Sequence, residues 1–459
     1  MALVSVVTAL KLPSGRQGFD ADTLREVTQK SLNSINAWCK KSGLKLSHLK
    51  SHCVMFTNRK SWSFDQPLKV DGAEINVLNS TKFLGLTLDS KLNWNEHIDN
   101  LCKKTKCILM QCRRAVGPTW GFKPATMRWV YNAMVKPVLS YWSTIWINGT
   151  KTKRNQTLLN GVQRLANVII TGALPTTPGT ALDVITGTPP LDLWLSEEAA
   201  KGALRLRDLG HWLPPPAGRP STRLTSHIST NDRLLRDIPE CNIIREERTP
   251  ALSIDQTFQV EIPTKETYQE ADYEQANNVL LRWIPAHKGH EGNETADRLA
   301  KNGANNCDEP ELVKLPIPCG VCYAALRRKT LSDWCRTFAV CPPKVFYTMW
   351  RDRFSRGLLK MGKRDLRVAT QILTGYTELN YHLRKLNRDI APTCSLCQEE
   401  NETVEHVLTR CPLLWELRVE LFDSHVTTIS AILERFDITQ LVKFMIRSGT
   451  LKSPDMIND

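Results

Sequence analysis

Three cysteines and a histidine in the pattern Cys394-x2-Cys397-x8-His406-x4-Cys411 restrict this chain more tightly than any other stretch. Three thiolates and one imidazole complete the tetrahedral donor set of a Zn²⁺ ion, and a closed set implies a structural role. The bland reading of the same residues is a helical hairpin with incidental cysteines and histidine. Cellular context favours the metal. Met1 to Leu12 is apolar but short, lacks a basic start and runs into Pro13-Ser14-Gly15, so it does not read as a secretory signal. No stretch reaches the roughly 18 apolar residues that a membrane span needs. An intracellular chain, in nucleus or cytoplasm, is expected, where clustered cysteines are metal ligands before they are disulfides. Glu399, Glu400, Glu402 and Glu405 surround the cluster and make it a poor phosphate binder. The second pair, Cys319-x2-Cys322, has no partners at sensible spacing and reads as buried free thiols.

The 459 residues suggest several domains. Leu24, Val27, Leu32, Ile35 and Trp38 fall at helical spacing, Gly43 breaks the pattern, and Cys53 to Phe56 reads as a strand. Residues 75–89 predict a hairpin, and residues 94–170 a largely helical stretch interrupted at Gly117-Pro118. Residues 195–210 add one amphipathic helix. Pro214-Pro215-Pro216 and Gly218-Arg219-Pro220 then mark a linker, and residues 205–278 show no clear core pattern. A strand over 279–284 and a helix over Asn293 to Asn302 follow, and residues 320–450 read as mainly helical.

The charge balance is basic: 61 Lys and Arg against 47 Asp and Glu, a net +14. This favours an anionic partner such as RNA, DNA or their hybrid. Lys103, Lys104, Lys106, Arg113 and Arg114 lie on one helical stretch and could track phosphates without reading bases. Arg327-Arg328-Lys329 and the Lys360 to Arg367 region form two further basic clusters. The competing reading of each is a solvated face.

The string Trp283-Ile284-Pro285-Ala286-His287-Lys288-Gly289-His290-Glu291-Gly292-Asn293-Glu294-Thr295-Ala296-Asp297 resembles the last motif of type I ribonuclease H domains. The resemblance implies that His287 is the mobile-loop histidine, that Asp297 is the fourth metal-binding carboxylate, and that Asn293 caps the helix. Two-metal hydrolysis needs several carboxylates around paired divalent cations. The family's Asp-Gly-Ser strand is missing. Residues 251–278 are also too few for the four strands and helix that should precede the motif, a shortage of roughly 30 residues or more at ordinary element lengths. Asp297 alone would hold Mg²⁺ weakly, so loss of hydrolysis is expected.

Residues 1–200 resemble the end of the reverse transcriptase of insect-type non-LTR retrotransposons. The matching residues include Trp38-Cys39, Lys50, Phe83-Leu84-Gly85, Leu92 to Ile98, Tyr141, Trp146, Gln163-Arg164 and Thr171-Gly172-Ala173. The resemblance places Lys50 near the incoming nucleotide and residues 94–200 in thumb and connection. The aromatic-x-Asp-Asp turn that holds catalytic Mg²⁺ does not occur before residue 20, so polymerisation by this chain alone is not expected. The Cys/His cluster resembles the C-terminal knuckle of the same polyproteins. The expected fold is therefore α/β fragments (palm end and thumb, then a truncated ribonuclease H-like piece at 279–305), followed by a mainly α region with a small zinc module at 394–411. The leading functional expectation is a retrotransposon-derived nucleic-acid-binding protein with defective catalysis. One alternative is a host-adopted zinc protein that binds nucleic acid. Another is an active nuclease drawing carboxylates from a partner, such as a full-length retroelement protein.

Overall fold

The computed structural model describes residues 21–56, 64, 66–209, 233–242, 260–261, 281–282, 289–305, 317–340, 354–386, 389–422, 431–432 and 435–451. These residues are predominantly helical, with small sheets. The expected α/β layering is thus reduced to short strand groups. The chain divides into two compact units, one of residues 1–237 with 326–459, the other of residues 238–325.

In the larger unit, helix α1 (Ala21–Lys41) leads to a three-stranded sheet in the order β1 (His52–Val54), β3 (Ala73–Leu78), β2 (Leu68–Val70). Leu68, Val70 and Ile75 form a small core on which Leu32 of α1 packs. The hairpin falls in β4 (Ser80–Phe83) and β5 (Leu86–Asp89), joined by Leu84-Gly85. Both turn residues have positive φ, 45° and 85°, as a two-residue hairpin turn demands. Glycine fits the second position for another reason: its bare Cα leaves the Tyr141 ring 3.1 Å from where a Cβ would lie. The Tyr141 hydroxyl donates to the Leu84 carbonyl at 3.2 Å.

Helix α2 (Asn95–Arg113) begins where the Asp89 carboxylate accepts backbone N–H groups of Lys91, Asn93 and Trp94. Helix α3 (Pro124–Val130) runs through a π turn at Tyr131–Val135 into α4 (Lys136–Ser140). The wide turn sits just before Pro137, which has no N–H and crowds the preceding turn. A short helix α5 (Ser143–Trp146) precedes α6 (Lys153–Thr171). Gly172 ends α6 at φ +71°, with the Pro118 carbonyl packed where a Cβ would go. Helices α7 (Gly179–Thr186) and α8 (Leu191–Asp208) complete this half. The predicted segment 195–210 therefore starts earlier, at Leu191, because Pro190 fixes the entry.

In the smaller unit, β6 (Val260–Glu261) pairs in parallel with β7 (Leu281–Arg282), and helix α9 (Glu291–Asn305) follows. The strand leading into the His/Asp motif thus has a short parallel neighbour. Helix α10 (Cys319–Val340) begins in this unit. Cys322 is buried and donates to the Glu240 carbonyl at 3.3 Å. Cys319 is half-buried, so only one of the two thiols is fully enclosed.

Back in the larger unit lie α11 (Phe354–Leu358), α12 (Lys363–Thr374), α13 (Asn380–Leu386), α14 (Trp415–Phe422) and α15 (Ile438–Arg447). One apolar cluster runs from Trp94, Leu159 and Ile185 to Leu366, Val407 and Phe444. Its polar fastening is specific. Lys363 donates to the Ile169 and Ile170 carbonyls, and Arg367 to the Gly172 carbonyl and to Glu378. Two cations of α12 therefore cap the carbonyl end of α6, where the helix dipole favours positive charge. Within the Lys360 to Arg367 cluster, Lys363 and Arg367 are therefore buried in protein contacts and unavailable to phosphates, while Lys360 and Arg364 remain exposed.

Candidate functional site

The segment around Cys394 folds back on itself. The Cys394 N–H donates to the Glu400 carbonyl at 2.7 Å, and Gln398 N–H donates to the Cys394 carbonyl at 3.0 Å. Gln398 takes a positive φ of 61°, which reverses the chain just after Cys397. A π turn at His406–Arg410 then folds Cys411 over His406, with the Cys411 N–H on the His406 carbonyl at 2.8 Å. An ordinary α turn would close one residue sooner, so this widening accommodates the x4 spacing.

These two turns bring the four donor atoms within 4.8 Å of one another. Cys394 Sγ and Cys411 Sγ are 4.0 Å apart, and Cys397 Sγ lies 3.3 Å from His406 Nε2. Tetrahedral Zn–S and Zn–N bonds place two thiolates roughly 3.8 Å apart, and a thiolate and a ring nitrogen roughly 3.6 Å apart. The donor set and spacing fit one metal ion. Cys394, His406 and Cys411 are buried and Cys397 is half-buried, so a bound ion would be shielded.

Protons compete for the same thiols. Burial and the neighbouring Cys394 push the Cys411 thiol up to about 12. At Cys397, burial acts upward, but the N–H groups of Glu399 and Glu400 and the Cys394 and Cys411 thiols outweigh it and hold the pKa below the ordinary value. A divalent cation would favour thiolates at every position.

The glutamates have distinct tasks. Glu402 is buried and accepts from the Ser395 backbone and hydroxyl and from the Asn380 N–H. It is a clamp between the knuckle and α13, not surface charge, so the expected acidic face is smaller than the composition suggests. Glu400 Oε2 stands 3.3 Å from His406 Nδ1 and 3.3 Å from Arg410 Nε. A carboxylate on the far ring nitrogen fixes the tautomer that leaves Nε2 to a metal. Neither role is visible in spacing, because the sequence shows four similar acids within seven residues.

Helix α9 carries the second candidate set. It starts at Glu291, with the Glu294 N–H on the His290 carbonyl at 2.9 Å and Gly289 at φ +81° before it. Asn293 therefore lies within the first turn and is not the cap that was expected. Asp297 sits one turn further on, half-buried. His287 lies outside the described residues. Among the described residues, the group of three or more metal-capable side chains is the Cys/His set, and Asp297 belongs to no such group. The described residues thus do not fit a two-cation site.

Of the basic residues, Lys103 is exposed and paired with Asp99 at 2.7 Å, while Lys106 is half-buried. Lys104, Arg113 and Arg114 are exposed on α2, and Lys50 is exposed in a short 3₁₀ turn at His48–Lys50. The residues Trp94, His97 and Trp146 meet in the core, with ring centroids 6.2 and 5.5 Å apart. Gln163 and Asn167 both donate to Asp183 at 2.6 Å. Trp94, Trp146 and Gln163 therefore serve as scaffold.

The sequence matches the ribonuclease H family over residues 242–305, beginning well upstream of the His287–Asp297 string. It is 26% identical over 122 residues to a 115 kDa protein in the type-1 retrotransposable element R1DM of Drosophila melanogaster, covering 27% of this chain and 12% of that protein. It is 23% identical over 183 residues to a Pol polyprotein from the type-1 retrotransposable element R1 of Nasonia vitripennis, covering 37% of this chain and 52% of that one. The chain is a non-LTR retrotransposon-derived protein. A further R1 Pol polyprotein, from Bradysia coprophila, is 23% identical over 199 residues, 43% of this chain and 19% of its own. The retrotransposon-derived chain therefore matches about half or less of the length of each of these relatives. No solved structure matches it.

Proposed function

We propose that this retrotransposon-derived protein binds nucleic acid through exposed basic residues of α2 and its C-terminal end, is held together in part by a structural Zn²⁺, and does not hydrolyse RNA–DNA hybrids. The observation that carries the metal is the convergence of Cys394, Cys397, His406 and Cys411 at tetrahedral spacing. Zn²⁺ suits three thiolates and an imidazole better than harder cations do. Mg²⁺ would fall to Asp297, which among the described residues belongs to no group of three or more metal-capable side chains, whereas paired-cation hydrolysis requires several carboxylates. The ribonuclease H family match and the Pol polyprotein relatives support nucleic acid as the partner class. The basic α2 residues, with Lys50, are the candidate phosphate contacts, and their reading is electrostatic and indifferent to base sequence.

Binding of a labelled RNA–DNA hybrid at several salt concentrations tests the reading. Affinity should fall steeply with salt, and neutralising Lys104, Arg113 and Arg114 should flatten the dependence. Affinity independent of salt, or unchanged in the neutralised variant, would contradict it. Metal content of the purified protein tests the other half: one Zn²⁺ per chain is expected, and Cys411→Ser should lose it.

A further inference from the structure

We propose that Arg128, Arg327 and Arg356 form a second phosphate-binding site, which takes backbone phosphates of a nucleic acid strand. The three come from separate helices, α3, α10 and α11, and in the larger unit Arg128 lies close enough to Arg356 and Arg327 to feel both charges. Arg128 is half-buried, and Arg327 and Arg356 are exposed. A Cβ on Gly187, the glycine that ends α7 at φ +61°, would overlap the Ser355 hydroxyl and stand 3.6 Å from Arg128 Nη1. The bare backbone there lets the Arg128 guanidinium and the Ser355 hydroxyl share one turn, with Arg356 the next residue.

Among the described residues these charges have no carboxylate partner. Burial, followed by repulsion from Arg356 and Arg327, holds the Arg128 guanidinium below its ordinary value. Lys136 lies close enough to feel both Arg128 and Arg327. Among the described residues, none of the three arginines forms an ion pair or a hydrogen bond to a carboxylate. The acids nearest Lys136, Glu197 and Glu198, are both held by Lys201. Other basic residues differ: Lys103 is neutralised by Asp99, and Lys363 and Arg367 are spent on α6 carbonyls. Like charges gathered from distant segments cost stability until an anion arrives. Guanidinium forks match the oxygens of a phosphate in geometry and charge.

The choice of a nucleic acid strand as the source of phosphate rests on the function proposed above; the site itself does not. The test uses the full chain, the variant R128Q/R327Q/R356Q and the milder R356Q, whose exposed side chain can change without disturbing packing. Two probes are used, a labelled single-stranded RNA and inorganic tripolyphosphate, the latter followed by thermal shift. Wild type should bind RNA roughly tenfold or more tightly than the triple variant at moderate salt. The variant's salt dependence should be shallower by about two, from roughly 0.7 per lost strand phosphate. R356Q should fall between them.

Equal RNA affinity and salt slope in wild type and both variants would overturn the site while leaving nucleic-acid binding elsewhere intact. Tripolyphosphate stabilising wild type but not the triple variant, with no RNA bound, would keep the phosphate site and overturn its nucleic-acid source. Failure of wild type to respond to either probe would overturn both.

Discussion

A buried histidine and a half-buried aspartate give opposite pH signatures. His97 is enclosed by Trp94 and Trp146, and its Nδ1 accepts the Thr87 N–H at 3.3 Å. Burial lowers its pKa to about 4, from 6.5. The unfolded chain binds the proton first, so this contribution to stability is complete above about 6.5 and is lost as pH falls toward 4. His97→Gln, which keeps an acceptor but does not titrate, should narrow its stability gap to wild type by about 2–3 kcal/mol between pH 7 and 4. Asp183 runs the other way. Burial raises its pKa to about 7, although Gln163 and Asn167 donate to it. The folded state holds that proton more tightly, so stability is lost as pH rises from about 4 to 7. Asp183→Asn should therefore cost less at pH 8 than at pH 5, measured by denaturant unfolding at both. Nothing in the sequence marked Asp183, because an acid on an apolar helix face has the same letter whether it is buried or wet.

At the scale of elements, what was legible depended on how local the cause was. The α2 helix follows from the spacing of its apolar residues and from Asp89, which lies a few residues before it. The x4 spacing from His406 to Cys411 fits a π turn, and a metal set could be read from it. The junction of α6 and α12 was not legible, because its partners lie 193 to 195 residues apart. Lys363 and Arg367 looked like part of a surface patch. They are instead buried caps, and burial lowers the Lys363 pKa to about 8. Arg367→Met should destabilise the protein by about 3–5 kcal/mol, since it leaves Glu378 buried without its cation. Replacing Arg367 and Glu378 together by apolar residues should recover much of that loss. Equal losses in single and double variants, by thermal or denaturant unfolding, would show that the pair is not coupled.

Across the larger unit, the candidate metal site is continuous with the main apolar cluster. Cys394, Val407, Leu408 and Cys411 belong to it together with Ile170 and Leu366. Arg418 donates to the Cys411 carbonyl and ties α14 to the same turn. Chelation should therefore lower the melting temperature of the larger unit and expose three thiols, those of Cys394, Cys397 and Cys411, to a thiol reagent. Unchanged melting after complete metal removal would argue against a structural role. The sequence motifs pointed to the four residues whose donor atoms the fold brings together and to the helix that carries Asp297, but they could not show that helices α2 to α8 share a core with α12, α14 and α15. That information lies in contacts between distant segments and not in local period. The most direct test of the central claim is cleavage of a labelled RNA–DNA hybrid by the full chain with Mg²⁺ or Mn²⁺, beside Asp297→Asn. The hybrid should be bound and stay intact with both proteins. Cleavage by wild type that disappears in Asp297→Asn would contradict it and require further carboxylates at the ribonuclease H helix.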